Sequence, residues 1–320
     1  MGISIESKTF DNTRLATYKE CPRKYFIRHF LHWTRDITGD ALVFGSSWHA
    51  GMDALWHYGK SLMPINLANI AYDGFMAKWE EEGFPAVVTM EMQEQLGART
   101  PGNAKEMFYN YATSRERMLK EADVLAIEQP FAVPIPALSD TWYIGKLDKV
   151  IQWNSNKVVL EHKTTSDYAI SGGIQPRWTE QWYSSSQVKG YEFGGSLYFP
   201  GLDGVWVDGA LVHKKIHDVF KFIPIKHSMP LLIEWIEDTR NWIKRIGDDT
   251  SLVVGAGKLV GGCFPKNEDS CFGKYGTCTF LDICRNCADP TQLDGPPEGY
   301  KEEKWEPFEV LKLDKLIQKE

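Results

Sequence analysis

The residues best placed for chemistry lie between Trp142 and Lys163, where WYIGKLDKVIQW is followed by Asn154-Ser155-Asn156 and then KVVLEHK. Both runs are rich in β-branched and aromatic residues and the triplet between them has turn composition, so the pattern predicts a hairpin. Side chains two apart on a strand share a face, which projects Glu161 and Lys163 together and His162 the other way. A turn centred on Asn154 and Ser155 sets the register that brings Asp148 across from Glu161, with Cβ atoms about 5 Å apart. Two carboxylates that close repel, and a hard divalent cation compensates them: Mg2+ or Mn2+ takes oxygen ligands and keeps some of its water. Held there, it would polarise a phosphodiester and make a water nucleophilic, while Lys163 could orient that water or stabilise developing negative charge. The same residues also describe an ordinary exposed hairpin face of mixed charge.

Thiols form the second concentration of reactive groups. Of the six cysteines, Cys263, Cys271, Cys278, Cys284 and Cys287 crowd into one C-terminal window, and Cys21 stands alone near the start. In a reducing compartment such crowding favours metal ligation over disulfides. The C-x2-C formed by Cys284 and Cys287 leaves open a zinc site built within the window, and thiolates equally suit an iron–sulfur cluster.

Asp148 followed by Glu161-His162-Lys163 resembles the split D…ExK signature of the PD-(D/E)XK nucleases, and three further runs match in order. Gly45-Ser46-Ser47-Trp48-His49 resembles the G…H helix of the RecB-like branch, in which the histidine is a metal ligand. Gln187-Val188-Lys189-Gly190-Tyr191 reproduces that branch's QxxxY motif, whose two polar residues share a helix face. Cys21-Pro22-Arg23-Lys24-Tyr25-Phe26 is similar to the first-cysteine motif of CRISPR-associated RecB-like exonucleases and AddB-type nuclease domains. Their remaining cysteines follow the nuclease core and end in C-x5-C, as Cys278 and Cys284 do. The usual C-x2-C-x5-C becomes Cys271-x6-Cys278-x5-Cys284 here, with Cys263 and Cys287 extra.

The resemblance runs from about Thr13 to Cys284. It implies an α/β (α+β) fold, a restriction-endonuclease-like core whose central mixed sheet is flanked by helices, with a helical insertion and an iron–sulfur module formed by both termini. By the same resemblance His49, Asp148, Glu161 and the backbone carbonyl of His162 hold Mg2+ or Mn2+, and Lys163 positions the attacking water. Gln187 and Tyr191 shape the cleft, and Cys21, Cys271, Cys278 and Cys284 hold a 4Fe-4S cluster, with structural Zn2+ as the alternative. The implied substrate is DNA, single-stranded or with a free end. A phage, a CRISPR locus or a repair system would each accommodate such a nuclease, with a recombination, helicase or CRISPR-associated protein as a possible partner on a separate chain. Two other classes stay open: a non-cleaving DNA-binding or recombination accessory protein, and a zinc-dependent interaction protein. The intact set of His49, Asp148, Glu161 and Lys163 speaks against the first.

The elements that must position these residues are legible in outline. With 43% hydrophobic and 25% charged residues, the 320-residue chain can bury one large core or two modest ones. Helical spacing marks 11–20, a second helix from Pro22 through Phe30, Ser46–Tyr58, 66–82, 104–122, 178–197 and 230–246. Strand composition marks 125–134, 141–153, 157–163, 204–213 and 219–225. The stretch containing Gly and Pro between 82 and 104 reads as a mobile connection, Asp36–Asp40 as a polar turn, and the tail 291–320 as an extended arm or partner-docking segment. The expected division is 1–35 for the N-terminal helices and 36–250 for the core, with its insertion at about 60–122, then 251–290 for the cysteine-rich segment and 291–320 for the tail.

A net charge of -7 argues against a protein that coats nucleic acid, but charge is locally uneven. Arg14, Lys19, Arg23, Lys24, Arg28 and Arg35 face a single acid, Glu20, and interleave with Tyr18, Tyr25, Phe26 and Trp33. Arg23, Lys24 and Arg28 are therefore DNA-binding candidates, and the aromatic residues suit stacking on unpaired bases. A solvated helix face with aromatic packing behind it is the other reading. No apolar run reaches the roughly 18 residues of a membrane span, and MGISIESKTF has no leader pattern, so no membrane association is expected and the cytoplasm is the expected compartment.

Overall fold

In a computed structural model, which describes residues 8–36, 39–170, 172–273 and 276–316, local signals set where elements begin. The first seven residues, the centre of the polar turn at 36–40 and the last four residues of the tail lie outside the described residues. β1 (Lys8–Phe10) leads into α1 (Asn12–Glu20), whose N-cap Asp11 accepts the Arg14 N–H at 2.7 Å. Pro22, with no N–H to lose, opens α2 (Pro22–Tyr25), and the path continues through a π-type turn at Phe26–Phe30 to β2 (Trp33–Arg35).

α3 (Asp40–Tyr58) starts six residues before the predicted helix and carries His49 near its middle. α4 (Pro64–Glu81) follows, and the stretch read as a mobile connection contains α5 (Met90–Leu96), capped by the Thr89 side chain. The predicted helix at 104–122 is two, α6 (Pro101–Ser114) and α7 (Glu116–Glu121), broken at Arg115. β3 (Asp123–Pro134), β4 (Thr141–Trp153) and β5 (Asn156–Thr165) are consecutive strands. Asn154 and Ser155 both take positive φ, 47° and 66°, the two-residue turn whose twist matches a hairpin.

The predicted helix at 178–197 is likewise interrupted. α8 (Pro176–Glu180) passes into a 3-10 turn at Gln181–Ser184, and Ser185 then caps α9 (Ser186–Tyr198) by accepting the Val188 N–H. β6 (Val205–Leu211) and β7 (Phe220–Ile225) precede α10 (Met229–Ala256), which runs ten residues past its predicted end. Beyond it lie β8 (Phe272–Gly273), β9 (Gly276–Thr277), α11 (Leu281–Asn286), β10 (Tyr300–Glu302) and α12 (Pro307–Val310).

The chain divides into two compact units. One, residues 38–131 and 146–228, holds a mixed sheet: β5 is antiparallel to β4 and parallel to β6, and β6 is antiparallel to β7. An apolar layer from α3, α4 and α6, with Trp48, Phe75, Trp79 and Phe108 at its centre, packs against Ile151, Val158, Leu160 and Ala210 of the sheet. Gly51 lets these helices close up. A Cβ there would stand 2.4 Å from the Phe108 ring and 2.6 Å from the Ala71 carbonyl oxygen.

The other unit comprises residues 1–37, 132–145 and 229–320. Here β1 runs parallel to the start of β4, and α10 buries Trp235, Thr239, Ile243 and Ile246 at helical spacing. The division places α10 with the two termini rather than with the core ending at 250. The tail is no free arm: β10 pairs with β2, and Leu313 is fully buried among Ala132, Trp142 and Ile144. Its apolar residues, spaced between prolines and charges, cover apolar surface of their own unit.

Gly51→Ala is expected to cost about 2 kcal/mol, because neither a packed ring nor a helix carbonyl can retreat far. Gly45→Ala, on the same helix with open space around the added methyl, should be neutral or stabilising by up to about 1 kcal/mol. Urea denaturation of the two variants tests this; equal midpoints would contradict it.

Candidate active site

The ladder between β4 and β5 pairs Trp153 with Asn156 through to Lys149 with Leu160, the register the turn predicts. Asp148 comes next along the strand, and its Oδ2 accepts the backbone N–H of His162 at 3.0 Å. Glu161 and Asp148 are both buried, 2% and 7% exposed. Each carboxylate has a basic side chain in direct contact. His49 Nδ1 is 3.0 Å from Asp148 Oδ2, and Lys163 Nζ is 2.5 Å from Glu161 Oε1. From α9, Gln187 Nε2 donates to Glu161 Oε1 at 3.1 Å and to the Tyr191 hydroxyl at 2.9 Å. Glu161 Oε2 is buried with no hydrogen-bond partner among the described residues.

The electrostatics of the pair are lopsided. Burial alone would raise both acids. At Asp148 the charge and hydrogen bond of His49, helped by Lys149 and Lys163, outweigh burial and hold the carboxyl well below the usual range. Glu161 is instead pushed up to about 7, first by burial and then by the charge of Asp148. Burial opposes the charged forms of His49 and Lys163, yet the carboxylates prevail and keep both protonated more firmly than usual. A buried carboxylate with one bare oxygen beside a second carboxylate leaves acceptor capacity unused, and unused carboxylate oxygen fits a hard divalent cation.

The other face of β5 is also polar, with groups that no motif in the sequence marks. His162 points away from Glu161, and its Nδ1 is 3.5 Å from Asp208 Oδ2, on the neighbouring strand at the paired position. The Tyr111 hydroxyl donates to Asp208 Oδ2 at 2.7 Å, and Arg115 lies 3.6 Å from Oδ1. Lys149, with no exposed surface, donates to Asp53 Oδ1 at 2.6 Å. Asp53 is one turn beyond His49, so α3 grips two successive residues of β4. The signals were present: Asp53 four residues after His49, and Asp208 alone in the apolar run VWVDGAL.

In the unit formed by the termini, Cys21, Cys271, Cys278 and Cys284 line one small cavity together with Lys24, Lys266 and Phe280. Cys263 is buried elsewhere, its thiol donating to the Val260 carbonyl at 2.9 Å, and Cys287 is not part of the lining. Burial pushes the Cys284 thiol up to about 11, and burial with the neighbouring thiols raises Cys271. Among the described residues, no three His, Cys, Asp or Glu side chains are gathered tightly enough to grip a single metal ion.

The basic stretch is largely spent inside its own unit. Arg23 is buried and donates to the carbonyls of Phe264 and Ala288; Lys24 pairs with Glu20, and Arg28 with Glu303. Tyr18, Tyr25, Phe26 and Trp33 are all buried, the first three around Phe264, so these rings are core rather than a surface for bases. Lys24 and Arg28 keep partial exposure.

The family profile of the PD-(D/E)XK nuclease superfamily matches residues 11–285. No curated protein matches the chain. Among the described residues no helix is long and apolar enough to cross a membrane.

Because Glu161 is raised from an ordinary 4.5 to about 7, the folded state prefers it protonated. Its contribution to stability is complete below about 4.5 and is lost as pH rises through about 7. In metal-free protein, Glu161→Gln should therefore gain on wild type as pH rises from 5 towards 8, read as the difference in melting temperature in EDTA. A difference that does not vary with pH would show that Glu161 is not raised.

Proposed function

Given that the chain belongs to the PD-(D/E)XK nuclease superfamily, we propose that it is a divalent-metal-dependent deoxyribonuclease acting on single-stranded or free-ended DNA, with a structural 4Fe-4S cluster. The observation that carries the nuclease reading is the bare, buried Oε2 of Glu161 beside Asp148. Asp148, Glu161, the carbonyl of His162 and His49 would hold Mg2+ or Mn2+ once His49 gives up its proton and its contact with Asp148, because as the described side chains stand no three of them converge on one point. When bound, the ion supplies a Lewis acid for the phosphodiester and a water more easily deprotonated near neutral pH.

The remaining work falls to this chain's own groups. Lys163, kept charged by Glu161 and Asp148, meets the negative charge that builds on the phosphoryl oxygens and orients the attacking water. Gln187 fixes the Glu161 carboxylate through Oε1, and Tyr191, accepting from the same amide, fixes Gln187. Arg115, Tyr111 and His162, gathered about Asp208, hold the strand from its other face.

Support for the cluster lies in the donor set: four thiols around one cavity, with Lys24 and Lys266 at its wall. Soft thiolates spread around a space rather than converging on a point suit a multi-atom cluster better than one Zn2+. Cys263, occupied with a backbone carbonyl, has no part in it.

Wild type purified without oxygen should cut end-labelled DNA in Mn2+ or Mg2+ and not in EDTA. Lys163→Ala should lose about 100-fold or more in rate while staying folded. No cutting by a folded, metal-supplied wild type would favour a non-cleaving DNA-binding or recombination accessory role instead. Separately, the protein should carry iron and acid-labile sulfide in equal amounts, lost in Cys21→Ala and kept in Cys263→Ala; zinc without sulfide would replace the cluster reading.

A further inference from the structure

The rings expected to stack unpaired bases are buried, so a site that reads single strands needs another aromatic surface, and one stands beside Lys163. In the parallel pairing of β5 and β6, the residue alongside Lys163 is Gly209. A Cβ there would come within 2.6 Å of the Trp178 ring, so the glycine opens room for that indole on the face that carries Glu161 and Lys163. Trp178, 5% exposed, meets Trp182 in an edge-on contact at 5.5 Å and 75°. Trp182 is half-buried, and its ring centre is 5.8 Å from Lys163 Nζ.

The segment carrying Trp182 is also held in place. It is the 3-10 turn Gln181–Ser184, directly ahead of the helix that presents Gln187 and Tyr191. His227 binds the Tyr183 carbonyl through Nε2 at 2.8 Å, and its backbone N–H donates to Glu192 Oε1 at 2.9 Å. The Trp182 indole N–H has no partner among the described residues. A fixed aromatic ring costs little order to use, and every base has a face to lay on it.

We propose that Trp182 is the stacking platform for the base next to the phosphate bound at Lys163, which makes this site select unpaired nucleotides. The proposal rests on the nuclease reading of the Lys163 site, narrows its substrate to unpaired nucleotides and names the residue that selects them. A nucleotide whose phosphate meets the Lys163 ammonium carries its base one sugar away, within reach of an indole at that distance. A base locked in a duplex presents no free face, so paired DNA would forfeit the contact.

The test compares oligodeoxythymidylate with an abasic deoxyribose-phosphate polymer of equal length, for wild type, Trp182→Ala and Trp182→Phe. KM and kcat are read in Mn2+, and binding of the fluorescein-labelled polymers is read by anisotropy in EDTA. Wild type should favour the thymidylate on the order of ten-fold, mostly in KM and Kd; Trp182→Ala should abolish that preference and Trp182→Phe recover most of it. If Trp182→Ala weakens both polymers alike, the indole only steadies Lys163 and the proposal is overturned; no effect overturns it too. A wild type that cuts neither polymer defeats the nuclease reading, and the anisotropy then still decides whether Trp182 stacks.

Discussion

Two carboxylates held together out of water, Asp148 and Glu161, impose the constraint from which the rest of the sheet-bearing unit follows. Like charges in a buried setting repel, and a fold keeps them only where it also brings cations and donors to them. The hairpin turn at Asn154 and Ser155 fixes the register that makes them neighbours. α3 must then lie where His49 meets Asp148 and Asp53 meets Lys149, and α9 where Gln187 reaches Glu161. Gly51 allows α3 to approach its neighbouring helices that closely. With all of these in place one oxygen of Glu161 is still bare, and that unused acceptor is what a divalent cation would take up.

Much of this was readable from residue types, because the chemistry is local. A period of two along KVVLEHK separates Glu161 and Lys163 from His162, and the structure keeps them on opposite faces. A separation of four on a helix brings Gln187 and Tyr191 into contact. The groups behind the strand were harder to read. Asp208, Tyr111 and Arg115 come from distant parts of the chain, and only the pairing of β5 with β6 and the seat of α6 bring them to His162. Trp182 was hidden by a boundary: 178–197 has the composition of one helix, but Ser185 caps a new one and leaves the tryptophan on the turn before it.

Side-chain type misleads where a partner far along the chain decides the role. Arg23 looks like a phosphate ligand, yet it is consumed by two backbone carbonyls that loops leave unsatisfied. Tyr18, Tyr25 and Phe26 look like stacking residues, yet Phe264, far along the chain, gathers them into a core. Prolines and charges give the tail the composition of a free arm, while Leu313 and its apolar neighbours pack on β3 and β4 and β10 pairs with β2. The thiols show the opposite case: Cys21 lies far from the others in sequence, and closure of the terminal unit sets it in the same cavity.

Binding of a divalent cation by the Asp148 and Glu161 pair is tested most directly without any DNA. Calorimetric titration of Mn2+ into metal-free protein, buffered above about pH 7 so that Glu161 is ionised, should reveal a binding event in wild type that disappears in Asp148→Asn while the variant stays folded. The same heat in both proteins, or none in either, would contradict the account.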